Sequence, residues 1–454
     1  MSTTATTPDL TAQPATNAGL VSSAARRLAC LPAQLSGDSL LGKSVLSVFD
    51  QGVVSGTSFA TSVILGRLCA KEDLGVYYLA LSIVFFVRGI QEQLVSAPYM
   101  IYCSRKEGTA LERFAGSSLA HQCVLLVAAS LTLAVLTPLG ILPAGLQGVM
   151  WLLLAAAPLL LMREFVRQLL FAHLDMRAAI ALDVSVAAIQ LAGLGLLAGT
   201  GRLSLAGTLA VLAISSGLPV VVWLGTKPRR LLVSVRDAIS DFLHNWTFAR
   251  WALASQLLAC TAPYVMPWVV ALTHGAAQTG MLGACSTLVG LSNMFMMGLC
   301  NFLSPKAARA FAAGGLAELQ SVLRKTALLF ATSLGLVCLV GFTLGEQIAI
   351  WVYGPAFAGT GLIIGVLSLS VLANSMGVTA GNGLWAMERP SANFVADLFS
   401  LCVVVVATVT LVPLWGPLGA ALATLCGTSS DATVRLWILR RTMRELAQPR
   451  RAAA

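Results

Sequence analysis

The sequence predicts an all-α membrane protein of about twelve transmembrane helices, arranged as two six-helix bundles. Three observations predict it. Of the 454 residues, 57% are hydrophobic and only 11% charged, whereas a soluble domain carries roughly 25% charged residues. Apolar runs of bilayer-spanning length recur along the chain. The basic residues fall between those runs, nearly all on alternate connections. A chain with so little polar surface, and a mean hydropathy of +0.83, is at home only where its solvent is apolar too.

A span needs roughly 20 apolar residues at a rise of 1.5 Å each. Such runs lie near residues 44–66, 76–99, 117–137, 149–171, 180–199, 205–225, 249–272, 280–303, 325–344, 359–386, 393–413 and 416–437. Residues 1–40 are rich in Ala, Thr, Ser and Pro and lack an apolar run, so they are expected to be a disordered cytoplasmic tail rather than a signal peptide. Residues 41–225 form the first six-span bundle and 249–440 the second. Between them, 226–248 reads as a basic amphipathic helix lying in the membrane interface. Residues 441–454 are a basic cytoplasmic tail.

With the N-terminus in the cytoplasm, of the 29 Lys and Arg only Arg67, Lys71, Arg202 and Arg88 fall outside the inward segments. Basic residues stay on the inner side, and an odd number of spans would scramble the pattern. Both termini are therefore expected inside, in the bacterial inner membrane. The net charge of +10 is accounted for by topology. No basic-aromatic run grips nucleic acid, and that partner is excluded.

The ten cysteines include no C-x-x-C pair, and most sit in apolar runs, where Cys behaves as a small hydrophobe. Only Cys69 faces outward, so no disulfide framework is expected. The four histidines, His121, His173, His244 and His274, are scattered. No metal or other cofactor is expected. No outward loop is long enough to carry a catalytic domain, which argues against an enzyme.

The halves resemble each other. The stretch from Gly75 (GVYYLALSIVFFVRGIQEQLVSAPYM) ends at Ala97-Pro98. The stretch from Gly280 (GMLGACSTLVGLSNMFMMGLCNFLSPKA) ends at Ser304-Pro305, and a basic inward loop follows. Six is even, so the repeats are parallel, related by an axis along the membrane normal, with a cavity expected between them.

Charges inside spans cost on the order of several kcal/mol and usually face a wet cavity. Asp50 lies in the first span beside a stripe of Ser47, Gln51, Ser55, Ser58 and Ser62 at helical spacing. Small-residue packing between helices explains the serines equally well. Arg88, Gln91 and Glu92 share a face of the second span, where Arg88 can pair with Glu92. A cavity arginine suits a diphosphate, because guanidinium binds phosphate oxygens bidentately; a neutral pair holding helices in register is the structural alternative. Arg163, Glu164 and Arg167 end the fourth span and Arg250 opens the seventh. Both groups read either as snorkelling anchors or as a basic entry funnel. Asn393, Asp397 and Ser400 share a face of the eleventh span; Thr424, Thr428, Asp431 and Arg435 form a stripe in the twelfth, with Asp431 and Arg435 an i,i+4 pair. Asn374 and Asn382 in the tenth span can bond sugar hydroxyls or a neighbouring helix. Pro263 and Pro267 are expected to interrupt the seventh span.

Several local features resemble one family. They are SVFDQGVVSGTSFATSVILGR in the first span, LGVYYLALSIVFF after a short outward loop, SPKAARAFAAGG after the eighth span, IWVYGPAFAG before the tenth, and GPLGAALAT opening the last. Over roughly residues 40–440 the chain resembles the polysaccharide and O-antigen flippase branch of the multidrug/oligosaccharidyl-lipid/polysaccharide (MOP) superfamily. The resemblance implies two bundles in a V working by alternating access. The implied substrate is a polyprenyl-diphosphate-linked oligosaccharide, flipped outward for lipopolysaccharide or exopolysaccharide biosynthesis. The implied partners are that lipid-linked substrate, membrane lipids, and a polysaccharide polymerase with its chain-length machinery. Drug-exporting relatives carry an ion-coupling acid in the first span, the role the resemblance implies for Asp50.

The main rival is an ion-coupled multidrug exporter of the same superfamily, which needs cavity carboxylates and has little use for Arg88. A lipid II flippase has fourteen spans as a rule, two more than are read here. A polymerase or ligase needs a sizeable outward loop, and a purely structural component needs no charges at span midpoints.

Overall fold

The computed structural model describes residues 40–140, 142–226 and 232–447. The expected tail over 1–39, residues 227–231 of the linker and 448–454 of the basic tail lie outside them. Among the described residues all regular structure is helical. The first half comprises α1 (Leu40–Leu68), α2 (Lys71–Gln91), α3 (Gly108–Leu136), α4 (Met150–Ala172), α5 (Met176–Gly199) and α6 (Leu205–Thr226). Helix α2 continues through a π-helical turn, Glu92–Ser96, into Ala97–Tyr102.

The second half opens with α7 (Val235–His274), followed by an unbroken helical stretch, Ala276–Tyr353. That stretch would be about 117 Å long if straight, several times the ~30 Å hydrocarbon core. It breaks at Gly315, where φ 64°, ψ −150° is a conformation open essentially to glycine alone. The break gives α8 (276–314) and α9 (316–353). Helix α10 is Gly361–Ala386. Gly416, at φ 53°, ψ −125°, divides Pro390–Ala447 in the same way, into α11 (390–415) and α12 (417–447). Among the described residues twelve long helices result, six in each half, and eight helical segments are long and apolar enough by composition to cross a membrane. Helices α1, α4 and α7 are not among the eight, and α11–α12 counts as one. Helix α4 carries Arg163, Glu164 and Arg167, and α1 dilutes its apolar side chains with Ser, Thr and Gly.

The helices alternate in direction, so both ends of the described chain lie at one face, here called the terminal face. The repeat is visible in the backbone there. Helix α4 ends on Leu174 (φ 55°) and α10 on Glu388 (φ 59°). Both are non-glycine residues in the left-handed region, where glycine is usual. The bonds match one for one. Asp175 N–H donates to Leu170 O and Leu174 N–H to Phe171 O; Arg389 N–H donates to Leu384 O and Glu388 N–H to Trp385 O.

Three apolar cores define the shape. The largest joins the halves: Leu65, Leu74 and Leu146 of the first pack in one cluster with Val270, Phe330 and Tyr353 of the second. Toward the terminal face the cores are separate. One contains Tyr99, Phe114, Phe165 and Leu182 from the first half alone. The other contains Ala307, Leu323, Leu384 and Leu439 from the second half alone. Two bundles joined at one face and parted at the other make a V that opens toward the terminal face.

The expected linker helix is continuous with the seventh span in α7. Ser234 caps it, accepting from Asp237 N–H at 3.4 Å. One side of its first turns docks on α3, where His121 Nε2 bonds Ala238 O at 2.8 Å and Lys106 pairs with Asp241 at 3.4 Å. An adjoining side exposes Val235, Ile239, Phe242 and Trp246, an i, i+4, i+7, i+11 apolar stripe of the kind that lies on lipid, with the Phe242 ring edge-on to His121 at 5.6 Å. Pro263 and Pro267 do not interrupt α7, contrary to expectation; both sit inside continuous helix. Each forfeits one backbone bond, and neighbouring helices hold the rest in line.

Candidate functional site

The first half holds a buried ion network, centred on α4. Arg163, Glu164 and Arg167 occupy consecutive turns of that helix. Arg167 uses its three guanidinium nitrogens on three carboxylates. Nε donates to Asp183 Oδ2 at 2.6 Å, Nη2 to Asp50 Oδ2 at 2.6 Å, and Nη1 lies 3.5 Å from Glu164 Oε1. Its side chain is only 6% exposed and packs on the Phe171 ring, 4.8 Å from the centroid. Arg163 binds the other oxygen of Asp183. Arg88 reaches over from α2 to Glu164 Oε1 at 3.0 Å. Three arginines thus face three carboxylates on α1, α4 and α5. Such a set is tolerable in a low-dielectric interior because every charge has a counter-charge.

The geometry departs from the sequence reading at several residues. Asp50 lies beside the polar stripe, as read, but does not face a wet cavity. Gln51, Ser47 and Ser58 are exposed, while Asp50 shares the buried face of α1 with Thr57 and Thr61 and is held by Arg167. Arg88 does not pair with Glu92, although the helical register between them is kept, with Glu92 N–H bonding Arg88 O; Glu164 of α4 holds the guanidinium instead. Glu92 is exposed. Arg163 and Arg167 do not snorkel, because Asp183 and Asp50 draw them inward. Arg250 is exposed on α7, in the other half from Arg163.

Gln91 is buried beside the network. Its Nε2 donates to Leu161 O at 3.1 Å, and its Oε1 has no partner among the described residues. Asp183 was not singled out from sequence. Its signal was there, as the one acid in the apolar run MRAAIALDVSV, but its partners lie on other helices.

The second half has a smaller counterpart. Asp397 on α11 stands 214 residues after Asp183, the same offset as between the two left-handed turns. It pairs with Arg435 of α12, whose Nε also donates to Asp431 at 2.8 Å. The positions in α10 equivalent to Arg163 and Arg167 are Gly377 and Gly381. A Cβ on Gly377 would overlap Asp431, and one on Gly381 would crowd Arg435. The charges of the second half therefore come from α12, laid across the glycines of α10.

Between the halves, α2 and α8 cross backbone to backbone near the closed face. A Cβ on Gly75 would strike the Ala276 carbonyl, and one on Gly280 the Lys71 carbonyl. The repeat relates these two contacts. Around them, Ser62 bonds Tyr353 at 2.9 Å, Tyr78 bonds Thr287 at 2.7 Å and Trp268 donates to Ser82 at 2.8 Å. Arg67 of α1 bonds Val352 O at 2.6 Å and Trp351 O, carbonyls at the C-terminal end of α9 where a cation is favoured.

A cavity of about 710 Å³ lies against this seam, walled by α2 and by α7, α8, α10, α11 and α12. Asn374 lines it. Asn382 bonds Val378 O of its own helix at 2.9 Å, and Asn393 donates to Gly381 O at 3.2 Å. Among the described residues no group of His, Cys, Asp and Glu could hold a metal ion.

No protein-family model matches the sequence, and no curated protein is significantly similar to it. Solved structures share its fold. An inward-facing multidrug resistance MATE family transporter of the MOP superfamily superposes with a TM-score of 0.69 at 14% identity, over 88% of this chain and 96% of that one. The lipid II flippase MurJ, in an inward closed conformation, gives 0.71 at 15% identity, over 88% and 87%. An outward-facing multidrug resistance MATE family transporter gives 0.59 at 12%, over 89% and 95%. The fold is that of MOP superfamily transporters.

Proposed function

We propose that this chain flips a polyprenyl-diphosphate-linked oligosaccharide across the bacterial inner membrane by alternating access. One observation carries the reading. All four buried carboxylates among the described residues, Asp50, Glu164, Asp183 and Asp431, sit against arginine, and no lining residue of the large cavity is charged. An exporter of cationic drugs needs an unpaired carboxylate on its path. A lipid diphosphate needs a guanidinium, and Arg88 offers one. Its side chain is 37% exposed, and it is held to its own half by Glu164.

The terminal face is then cytoplasmic, in keeping with the charge bias, and the V is open to the cytoplasm. The hydrated headgroup enters between the bundles while the polyprenyl tail stays in lipid. Rocking about the α2–α8 crossing exposes it to the outer side, where a polymerase and its chain-length machinery would consume it. The protein needs no catalytic residue for this.

Glu92 favours the rival. It is an exposed carboxylate facing the second half, where a cationic drug would be met. A deletion strain separates the two readings. A flippase deletion loses outer-leaflet glycan and accumulates lipid-linked intermediate inside. Intact surface glycan with raised sensitivity to cationic drugs would instead establish the exporter.

A further inference from the structure

The large cavity is not where the charges are. Most of its wall comes from the second half, whereas the Arg88–Glu164–Arg167 network belongs to the first. At about 710 Å³ it falls within the usual range for a small-ligand pocket, on the order of 300–1,000 Å³. Its chemistry is that of hydroxyls, amides and aromatic faces.

Three of the lining hydroxyls have spent their hydrogens. Thr424 donates to Ala420 O at 2.9 Å, Thr428 to Thr424 O at 3.0 Å and Ser400 to Gly427 O at 2.9 Å. Toward the cavity these oxygens can only accept. Pro263 also lines the space, and its carbonyl lacks its helical donor, because residue 267 is proline. The Asn374 amide is under-used. Its Nδ2 has the Met296 thioether at 3.7 Å, a weak acceptor. Phe85 and Tyr264 stand 6.4 Å apart across the α2–α7 seam, tilted by 39°, and offer apolar ring faces.

A ligand that satisfies this wall brings many O–H donors, some acceptors for an amide, and apolar C–H faces for the rings. It carries no charge, since no lining group could neutralise one and desolvating an unpaired ion costs far more than a hydroxyl. A hydrocarbon tail would leave the amide and carbonyl unsatisfied.

We propose that this cavity is a subsite for neutral sugar rings, separate from the guanidinium of Arg88, so that the two halves of the protein read two parts of one substrate. The proposal rests on the flippase reading for its substrate class and adds that the sugars seated here are uncharged.

The test uses the full chain in lipid nanodiscs and ligand-observed saturation-transfer NMR. The probes are maltotriose and chitotriose (neutral), trigalacturonate (anionic) and tetraphenylphosphonium (cationic). At least one neutral trisaccharide should bind, and trigalacturonate should bind at least about tenfold more weakly. Asn374→Leu should weaken neutral binding by about tenfold, the worth of one buried hydrogen bond. Asn374→Gln should recover part of that loss. Thr428→Ala, a smaller change, guards against misfolding and should weaken binding in the same direction. Equal or tighter binding of trigalacturonate overturns the neutral subsite. So does failure of both neutral probes in a protein whose deletion abolishes surface glycan, which leaves the flippase reading standing. Binding of tetraphenylphosphonium that Asn374→Leu weakens, with no sugar binding, overturns both.

Discussion

Arg167 is the residue on which the first bundle's electrostatics turn. Replacing it with alanine removes contacts to Asp183, Asp50 and Glu164 at once. Asp183 keeps Arg163, and Glu164 keeps Arg88. Asp50 loses its one charged partner, and its Oδ1 already has none. The set goes from neutral to a net charge of −1 in a place where Asp50 is 1% exposed. Breaking a buried pair from one side costs about 3–5 kcal/mol, because the other charge is stranded. For a cooperative unit of 150–250 residues, ~2–4 °C per kcal/mol, this lowers the melting midpoint by roughly 6–20 °C. Thermal unfolding of the detergent-solubilised protein, read by fluorescence-detected size exclusion, measures it. Asp50→Asn in the Arg167→Ala background removes the stranded charge, so the double variant should be more stable than Arg167→Ala alone. Arg167→Lys keeps the charge but cannot span three carboxylates with one ammonium, and should fall between wild type and alanine. A midpoint for Arg167→Ala no lower than for Arg202→Ala, an exposed control, would refute the network. So would a double variant less stable than the single.

Arg88→Ala should abolish surface glycan at normal protein levels, while Arg88→Lys, which loses the bidentate fork, should retain part of the activity; quantitative glycan staining of complemented deletion strains decides. Gly75→Val and Gly280→Val each force a side chain into the carbonyl of the facing helix. Each should cost about 1–3 kcal/mol as overpacking and part the closed face, raising the labelling of Ser62→Cys, in a Cys69→Ser background, by a membrane-impermeant thiol reagent added outside; unchanged labelling would dismiss the crossing as the seal. Reporter fusions after residues 70, 140, 200, 275 and 350 should report the outer side, and two or more on the cytoplasmic side would overturn the orientation.

The sequence alone determined the solvent, the helices and their order. Apolar runs matched to bilayer thickness, interrupted by basic turns, leave an α-helical membrane protein little freedom, because backbone bonds in lipid must close within each helix. The parity of the basic residues and the Gly75/Gly280 resemblance were legible for the same reason: both are written in one dimension. The exact ends were less so; the continuity of α7 through Pro263 and Pro267 depends on neighbours holding a helix that proline weakens. What only the tertiary structure decided is who faces whom. Asp50, Arg167 and Asp183 lie on three helices far apart in the chain, and helical spacing tells which face of its own helix a residue occupies, not what stands opposite. So a stripe beside Asp50 suggested a wet cavity, where packing turned that face inward onto Arg167. Arg88 and Glu92 obeyed the pairing rule for an α-helix, and a carboxylate on another helix, Glu164, took the guanidinium instead. Gly377 and Gly381 carry no charge, yet their missing side chains are why Arg435 and Asp431 of another helix can lie where the first half has arginines of its own. A charge in a membrane interior must find its partner across helices, and that choice belongs to the fold.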